Sequence, residues 1–507
     1  MILERGTVRT LDPSLPTASA LAIAGDRVAG GVGTHETALP SPERVDLGGR
    51  CVLPGFTDSH VHFPTWAVAR GEVRLEGIRS VEEAVARVRD ALGGAGAGWL
   101  RGRGWRSAEW PRQPTKEALD EVTGQVPVAL LAHDSHSVWL NSAALARADG
   151  DLEVAGGVVE RDERGEPTGV LREESCWRFR DRYVEIGDDE YVHAMRDGLR
   201  VAAARGVTAV HDKDGWIGAL RFWQALEGLT LRVWQSFPAE QVDRLAELGL
   251  RGGFGGPMLR AGYLKAFMDG TLGSQTARLL DGSGVEITTR EELADIVRRG
   301  AAAGWPVAVH AIGDLANREA LDAFEETRDE WARHGLRQRI EHAQLLAPED
   351  IGRFAELGVA ASVQFSHAPS DRDLADRLWA GKTGSAYAYR SLWDTGALIA
   401  NGSDAPIEEL DPLAGIVAGV LRTLDDRSAW HPEQALTVEE AVAAICVNPA
   451  WLSYDEHERG RLVPGYLADL VVLDRDPFVV PPEELPEVEV VATMVGGRWI
   501  HNPPPWD

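Results

Sequence analysis

Apolar residues fall into short runs at both ends of the chain and into a longer alternating pattern between them. Residues 8–11 and 20–24 read as strands, followed by the Gly25-Asp26 turn and a further strand over 27–29. Near the other end, 469–473 reads as a strand. Residues 490–495, the Gly496-Gly497 turn and 498–500 read as a hairpin. Two β-rich ends around a long middle predict one composite β-sandwich built from 1–54 and 461–507. The middle alternates strand with helix. Candidate strands are 56–60, 207–211, 231–235, 263–267, 306–310, 339–342, 360–364 and 398–401, and helical patterns over 290–303, 315–334 and 348–357 lie between several of them. Thr288 or Thr289 before Glu291-Glu292 supplies a helix cap. Eight such units predict an α/β fold, a distorted (β/α)8 barrel over 55–460. Residues 66–200 exceed what one unit needs. They hold a further strand at 126–132 and a helix at 80–91, and read as an insertion over the barrel mouth.

Composition changes this picture little. Of 507 residues, 44% are apolar and 26% charged, ordinary globular usage that excludes a disordered, collagen-like or membrane-embedded chain. Asp and Glu number 79 against 52 Lys and Arg, a net charge of −27. Such a chain repels phosphate backbones and anionic lipid, so nucleic acid and membrane are not expected partners. A small molecule is, and a homodimer stays open. Met1-Ile2-Leu3-Glu4-Arg5 does not lead from a basic stretch into an apolar core, so the expected location is cytoplasmic. Cys51, Cys176 and Cys446 form no disulfide framework and no thiolate metal site by spacing, which suits a reducing compartment. Gly252–Gly256 lacks the strand–helix context of a dinucleotide site.

Barrel enzymes carry their chemistry at the C-terminal ends of the strands. The first strand ends in Asp58-Ser59-His60-Val61-His62. Positions i and i+2 of an extended segment point the same way, so His60 and His62 can share one metal ion. Lys265 lies within the fourth strand, His310 ends the fifth, His342 ends the sixth and Asp404 follows the eighth. Alone, each reads as a bonded core or loop residue. Together, at successive strand ends, they read as a site. Imidazole and carboxylate ligands suit zinc, with iron, manganese or nickel as alternatives. Tentative substrate contacts are His136 in the insertion, His211 at the end of the second strand, Asp269 after the fourth, and His367 with Asp371 after the seventh. For His136 the plain alternative is a structural bond to Asn141 or Asp134. Trp66, Trp105, Trp110 and Trp139 read either as core or as an apolar pocket wall.

These pieces resemble the amidohydrolase superfamily. The resemblance rests on Leu53-Pro54-Gly55-Phe56-Thr57-Asp58-Ser59-His60-Val61-His62, Val309-His310-Ala311-Ile312-Gly313-Asp314, Ile340-Glu341-His342-Ala343-Gln344 and Gly402-Ser403-Asp404-Ala405-Pro406, with residues 460–474 at the far end. Residues 134–145 and 264–277 are similar to the long branch that includes N-substituted formamide deformylase. The resemblance implies a metal-dependent hydrolase of a C–N bond in an amide or an N-formyl or N-acyl amine. It implies that His60, His62 and Asp404 bind the more buried of two ions and that His310 and His342 bind the second. It implies a carbamylated Lys265 bridging the two, since a free ammonium cannot ligate a cation. Asp404 would then serve as general base and acid. The same site could open a lactone or ester, and a barrel that binds without turnover is the remote alternative. Ser135, Phe365 and Tyr466 depart from the branch, which usually carries Gly, Pro and Lys there. The first two bear on specificity.

Overall fold

The computed structural model describes residues 1–29, 33, 41, 43–92, 98–148, 152–184 and 186–506. Its centre is a sheet of eight parallel strands in chain order: β1 (Phe56–Val61), β2 (Val207–Asp212), β3 (Arg232–Pro238), β4 (Leu259–Phe267), β5 (Val307–Ala311), β6 (Arg339–His342), β7 (Ala360–Val363) and β8 (Ile399–Asn401). Every residue of β5 to β8 is buried, as expected of strands packed on both faces. The ladder pairs Phe267 with His310 and His310 with Glu341, which brings the ends of β4, β5 and β6 to one level. The ring is nearly closed, and the seam lies just past β8. Asp404 donates its backbone N–H to the His60 carbonyl at 2.7 Å, and His62 donates to that of Ala405 at 2.8 Å. Gly402 sits in this seam, where a Cβ would lie 2.4 Å from the His60 nitrogen, so only glycine permits so close an approach.

Helices pack outside the strands. Thr289 caps Arg290–Ala303 through a reciprocal capping box with Glu292, and Gly304 ends that helix in the left-handed region. The single helix predicted over 315–334 is two pieces, Asp314–Glu326 and Arg328–Ala332. Between them the Thr327 hydroxyl turns back to the Ala323 carbonyl at 2.7 Å, a local bond that competes with the helical ladder.

The two chain ends meet in one sheet of eight strands, in which Cys51–Pro54 pairs with Ile2–Arg9 on one side and with Leu470–Leu473 on the other. Leu3, Val8, Leu21, Leu470 and Met494 share its core. A buried two-pronged ion pair, Arg232 to Asp469 at 2.7 and 3.0 Å, ties this sheet to β3. Between β1 and β2 the chain builds a separate six-stranded sheet, running from Gly157–Arg161 at one edge to Val73–Arg74 at the other. Trp105, Trp110 and Trp139 cluster in its core with ring centroids 6.1–6.5 Å apart. Trp66 packs instead on Phe63 in a core beside β1 and β2. Of these four, only Trp105 reaches the cavity described below. The others are packing residues, because their indoles are buried among apolar neighbours.

Candidate metal centre

A cavity of about 1060 Å³ opens at the C-terminal ends of the barrel strands. At its base His60 Nε2 lies 3.2 Å and His62 Nε2 3.5 Å from the same oxygen of Asp404. One potential ligand atom from each of the three lies within 4.8 Å of the others. The opposite ring nitrogens are already engaged: His60 Nδ1 meets Glu341 at 2.8 Å and His62 Nδ1 meets Asp214 at 2.7 Å. A carboxylate on Nδ1 places the proton there and turns the Nε2 lone pair towards Asp404. Asp404 itself has a left-handed backbone, φ 58°, strain held by the seam hydrogen bond. Its Oδ1 is buried with no hydrogen-bond partner among the described residues. Burial pushes this carboxyl up, but the imidazoles of His60, His342 and His62 overcome it and hold the group well below the usual carboxylate range.

The remaining strand ends ring this triad. His342 also has a positive φ, 76°, and its Nδ1 meets the Gln364 side-chain oxygen at 2.8 Å. The His310 ring lies 4.5 Å from that of His342, and its Nε2 meets the Gly270 carbonyl at 3.1 Å. That contact requires N–H on Nε2 and leaves Nδ1 as the free lone pair. Burial drives both histidines well below the ordinary imidazole range. Lys265 is 1% exposed, and its Nζ has no hydrogen-bond partner among the described residues. The amine lies 4.6 Å from the Phe267 ring centre. Burial lowers its pKa to about 8, against the upward pull of Glu341 and Asp404. His367 opens the helix α2 (His367–Leu378) and points its Nε2 to within 4.0 Å of Asp404 Oδ2. Its Nδ1 accepts from the Gln344 amide at 3.0 Å, so the proton sits on Nε2, a buried donor with no hydrogen-bond partner among the described residues.

A sequence profile of the amidohydrolase family matches residues 43–501. The chain belongs to the amidohydrolase family. It is 32% identical to the Arabidopsis thaliana protein LONG AFTER FAR-RED 3, over 99% of this chain and 91% of that one. It is 28% identical to N-substituted formamide deformylase of Arthrobacter pascens, over 98% and 97% of the two chains. A crystal structure of an uncharacterized metal-dependent hydrolase from Pyrococcus horikoshii superposes with a TM-score of 0.78 at 29% identity, covering 95% of this chain and 99% of that one. Family and fold together make this protein a hydrolase. The donor set of the amidohydrolase fits a divalent ion: two imidazole nitrogens with lone pairs turned inward face an ionised, unpartnered carboxylate oxygen.

The other residues singled out from sequence divide into two groups. His136 and Asp371 line the cavity. His136 Nδ1 meets Glu173 at 2.6 Å, and its backbone N–H donates to the Asp134 side chain at 3.1 Å, so the structural bond to Asp134 is present through the main chain. Asp371 takes Arg106 at 3.3 Å and the Tyr387 hydroxyl at 2.9 Å. His211 and Asp269 do not line it. His211 lies in the barrel layer below, with Nε2 2.8 Å from the Ser453 hydroxyl and Nδ1 3.0 Å from Arg339. Asp269 accepts three backbone N–H groups, from Ile312, Gly313 and Arg278 at 2.8–3.0 Å, and so braces the loops after β4 and β5. Burial raises its carboxyl to about 7.

Sequence reasoning missed the residues that hold the site. Glu341 is fully buried, and besides His60 it meets Lys213 at 3.0 Å and Arg339 at 2.9 Å. Burial pushes its carboxyl up, but Arg339, His60 and Lys265 outweigh that and hold it well below the usual carboxylate range. Arg339 also lies 4.2 Å over the Tyr263 ring. The alternation along β6 was the available signal, because Arg339 and Glu341 share one face. Asp214 and Gln364 carried no comparable signal.

Proposed function

We propose that this amidohydrolase cleaves the C–N bond of an amide or an N-formyl or N-acyl amine. His60, His62 and Asp404 hold one divalent ion, zinc first among the candidates. His310 and His342 hold a second, with Lys265 as a carbamate between them. The observation that carries this reading is the convergence of His60, His62 and Asp404 on one point, with the outer ring nitrogens tied off. The deformylase name of the Arthrobacter relative supports the C–N bond. A bound divalent ion supplies Lewis acidity, which acidifies water and polarises a carbonyl.

The chain's own groups do the rest. Asp404 is held ionised, so it can accept the proton of the attacking water and deliver it to the leaving amine. His367 aims an unpartnered N–H towards Asp404, where it can donate to a substrate oxygen. With its pKa lowered to about 8, Lys265 can shed its proton more readily than a free lysine, and the free amine can add to CO2. A new N–C bond forms, one proton leaves to solvent, and an anionic two-oxygen group replaces a cation. We read residues 1–54 with 461–507 as a composite β-sandwich beside a barrel of 55–460.

The test is a screen of the metal-loaded protein against N-formyl and N-acyl amines beside lactones and esters. Turnover of amides is expected. Turnover of lactones alone would replace the C–N reading with the ester one. Lys265→Ala should lower the bound metal by one ion per chain, and unchanged stoichiometry would remove the bridging role.

A further inference from the structure

The wall of the cavity carries a feature that the hydrolytic chemistry does not use. Helix α1 (Glu174–Tyr183) comes from the insertion. Glu174, Trp177, Arg178 and Asp181 all line the cavity, at the i, i+3, i+4, i+7 spacing of one helix face. Cys176 and Phe179 anchor the opposite face in the insertion's core. The ring of Trp177 lies 5.6 Å from that of Phe267, on the end of β4. Trp216, from the segment after β2, lies 5.2 Å from the same ring on another approach. Phe267 is in turn 5.1 Å from His310. An aromatic shelf therefore leads outward from the second-ion histidines, assembled from three separate parts of the chain.

Beside this shelf stands Arg178. Other arginines of the wall are engaged: Arg172 with Glu160 at 2.5 Å, Arg180 with Asp181 at 2.7 Å, and Arg106 with Ser370 at 2.9 Å. Arg178 makes no hydrogen bond and no ion pair among the described residues, yet it is half-buried. Glu174, one helical turn earlier, feels its charge through space, but Glu174 and Glu240 are exposed to solvent and neither forms an ion pair with it among the described residues. A guanidinium presents a planar fork of donors that matches a carboxylate. A partly desolvated fork left without a partner favours a ligand that supplies one and disfavours a neutral isostere.

We infer that the substrate is an amide carrying both an aromatic ring and a carboxylate, the ring seated on Trp177, Phe267 and Trp216 and the carboxylate paired with Arg178. The inference rests on the C–N hydrolase reading for the reacting end, but the subsite can be tested without turnover. Hydrolysis of N-formylphenylalanine would be compared with that of its carboxamide and of N-formylalanine, using the metal-loaded wild type, Arg178→Ala, Arg178→Lys and Trp177→Ala. The ratio of kcat/KM for carboxylate over carboxamide should fall at least tenfold in Arg178→Ala and less in Arg178→Lys. The phenyl-over-methyl ratio should fall in Trp177→Ala. Calorimetric binding of 3-phenylpropanoate against 3-phenylpropanamide supplies the second readout. Wild type should prefer the carboxylate, and Arg178→Ala should lose that preference. If no amide is cleaved but this preference and its loss are seen, the subsite stands and the hydrolytic reading fails. If wild type binds the two probes alike, or Arg178→Ala keeps the preference with fold and metal content intact, the inference is overturned.

Discussion

The base of the cavity and its wall are built on opposite principles. At the base, His60, His62, His342 and His367 each have one ring nitrogen held by a side chain more than twenty residues away in sequence, and all four of these holders are buried. Strand ends supply the candidate ligands, and the ladder sets their level. At the wall, a helix from the insertion and a segment after β2 present half-buried or exposed groups, including an arginine with no hydrogen bond or ion pair among the described residues. The base is pre-organised and has few ways to change without losing its charge balance. The wall can change residue by residue. Chemistry and selectivity are thereby assigned to different parts of the chain, as barrels allow when loops and insertions vary over a constant set of strand ends.

The strongest way to break this contrast is to remove the charge that organises the base. Glu341→Gln leaves Lys213 and Arg339 buried without a countercharge. Breaking such a pair costs about 3–5 kcal/mol, so denaturant unfolding should show a loss of that order or a failure to fold. A loss below about 1 kcal/mol would mean that the layer under the metal centre is less constrained than described. Asp214→Asn is milder, because the amide can still bond His62 but no longer fixes its proton on Nδ1. Metal affinity should fall about 10–100-fold with the fold retained, read by competition with a chelator.

How much of this was legible in the sequence follows the same division. The His-x-His pair at the end of β1, the histidines ending β5 and β6 and Asp404 just after β8 stood out because they fall at successive strand ends. The strands themselves were visible as short apolar stretches alternating with helical patterns. What the linear pattern hid was orientation. Glu341 sits beside His342 but faces into the barrel with Arg339, a fact that depends on strand alternation and on neighbouring ladders. His211 ends a strand as His310 does, yet points to the layer below, between Arg339 and Ser453. Trp110 and Trp139 turned out to be core, whereas Trp177 and Trp216, which had no distinguishing context, line the cavity.

His211 offers the subtlest test of the division. Burial, with Arg339 and Arg459 nearby, drives its imidazole well below the ordinary range. The folded state therefore refuses a proton that the unfolded chain accepts below about pH 6.5, and stability falls as pH drops through that point. His211→Gln removes this one-proton difference. Between pH 6.5 and 5 the variant's stability should fall less steeply than wild type, by about 1.4 kcal/mol per pH unit, in denaturant titrations. Parallel pH profiles would show that His211 takes up its proton in the fold.

The metal content of purified His60→Ala/His62→Ala, measured beside wild type with the fold checked by circular dichroism, tests the central claim most directly. Wild type should carry one or two divalent ions per chain, and the double variant should lose the ion held with Asp404 while staying folded and inactive. A folded double variant with unchanged metal content would contradict the assignment of the centre.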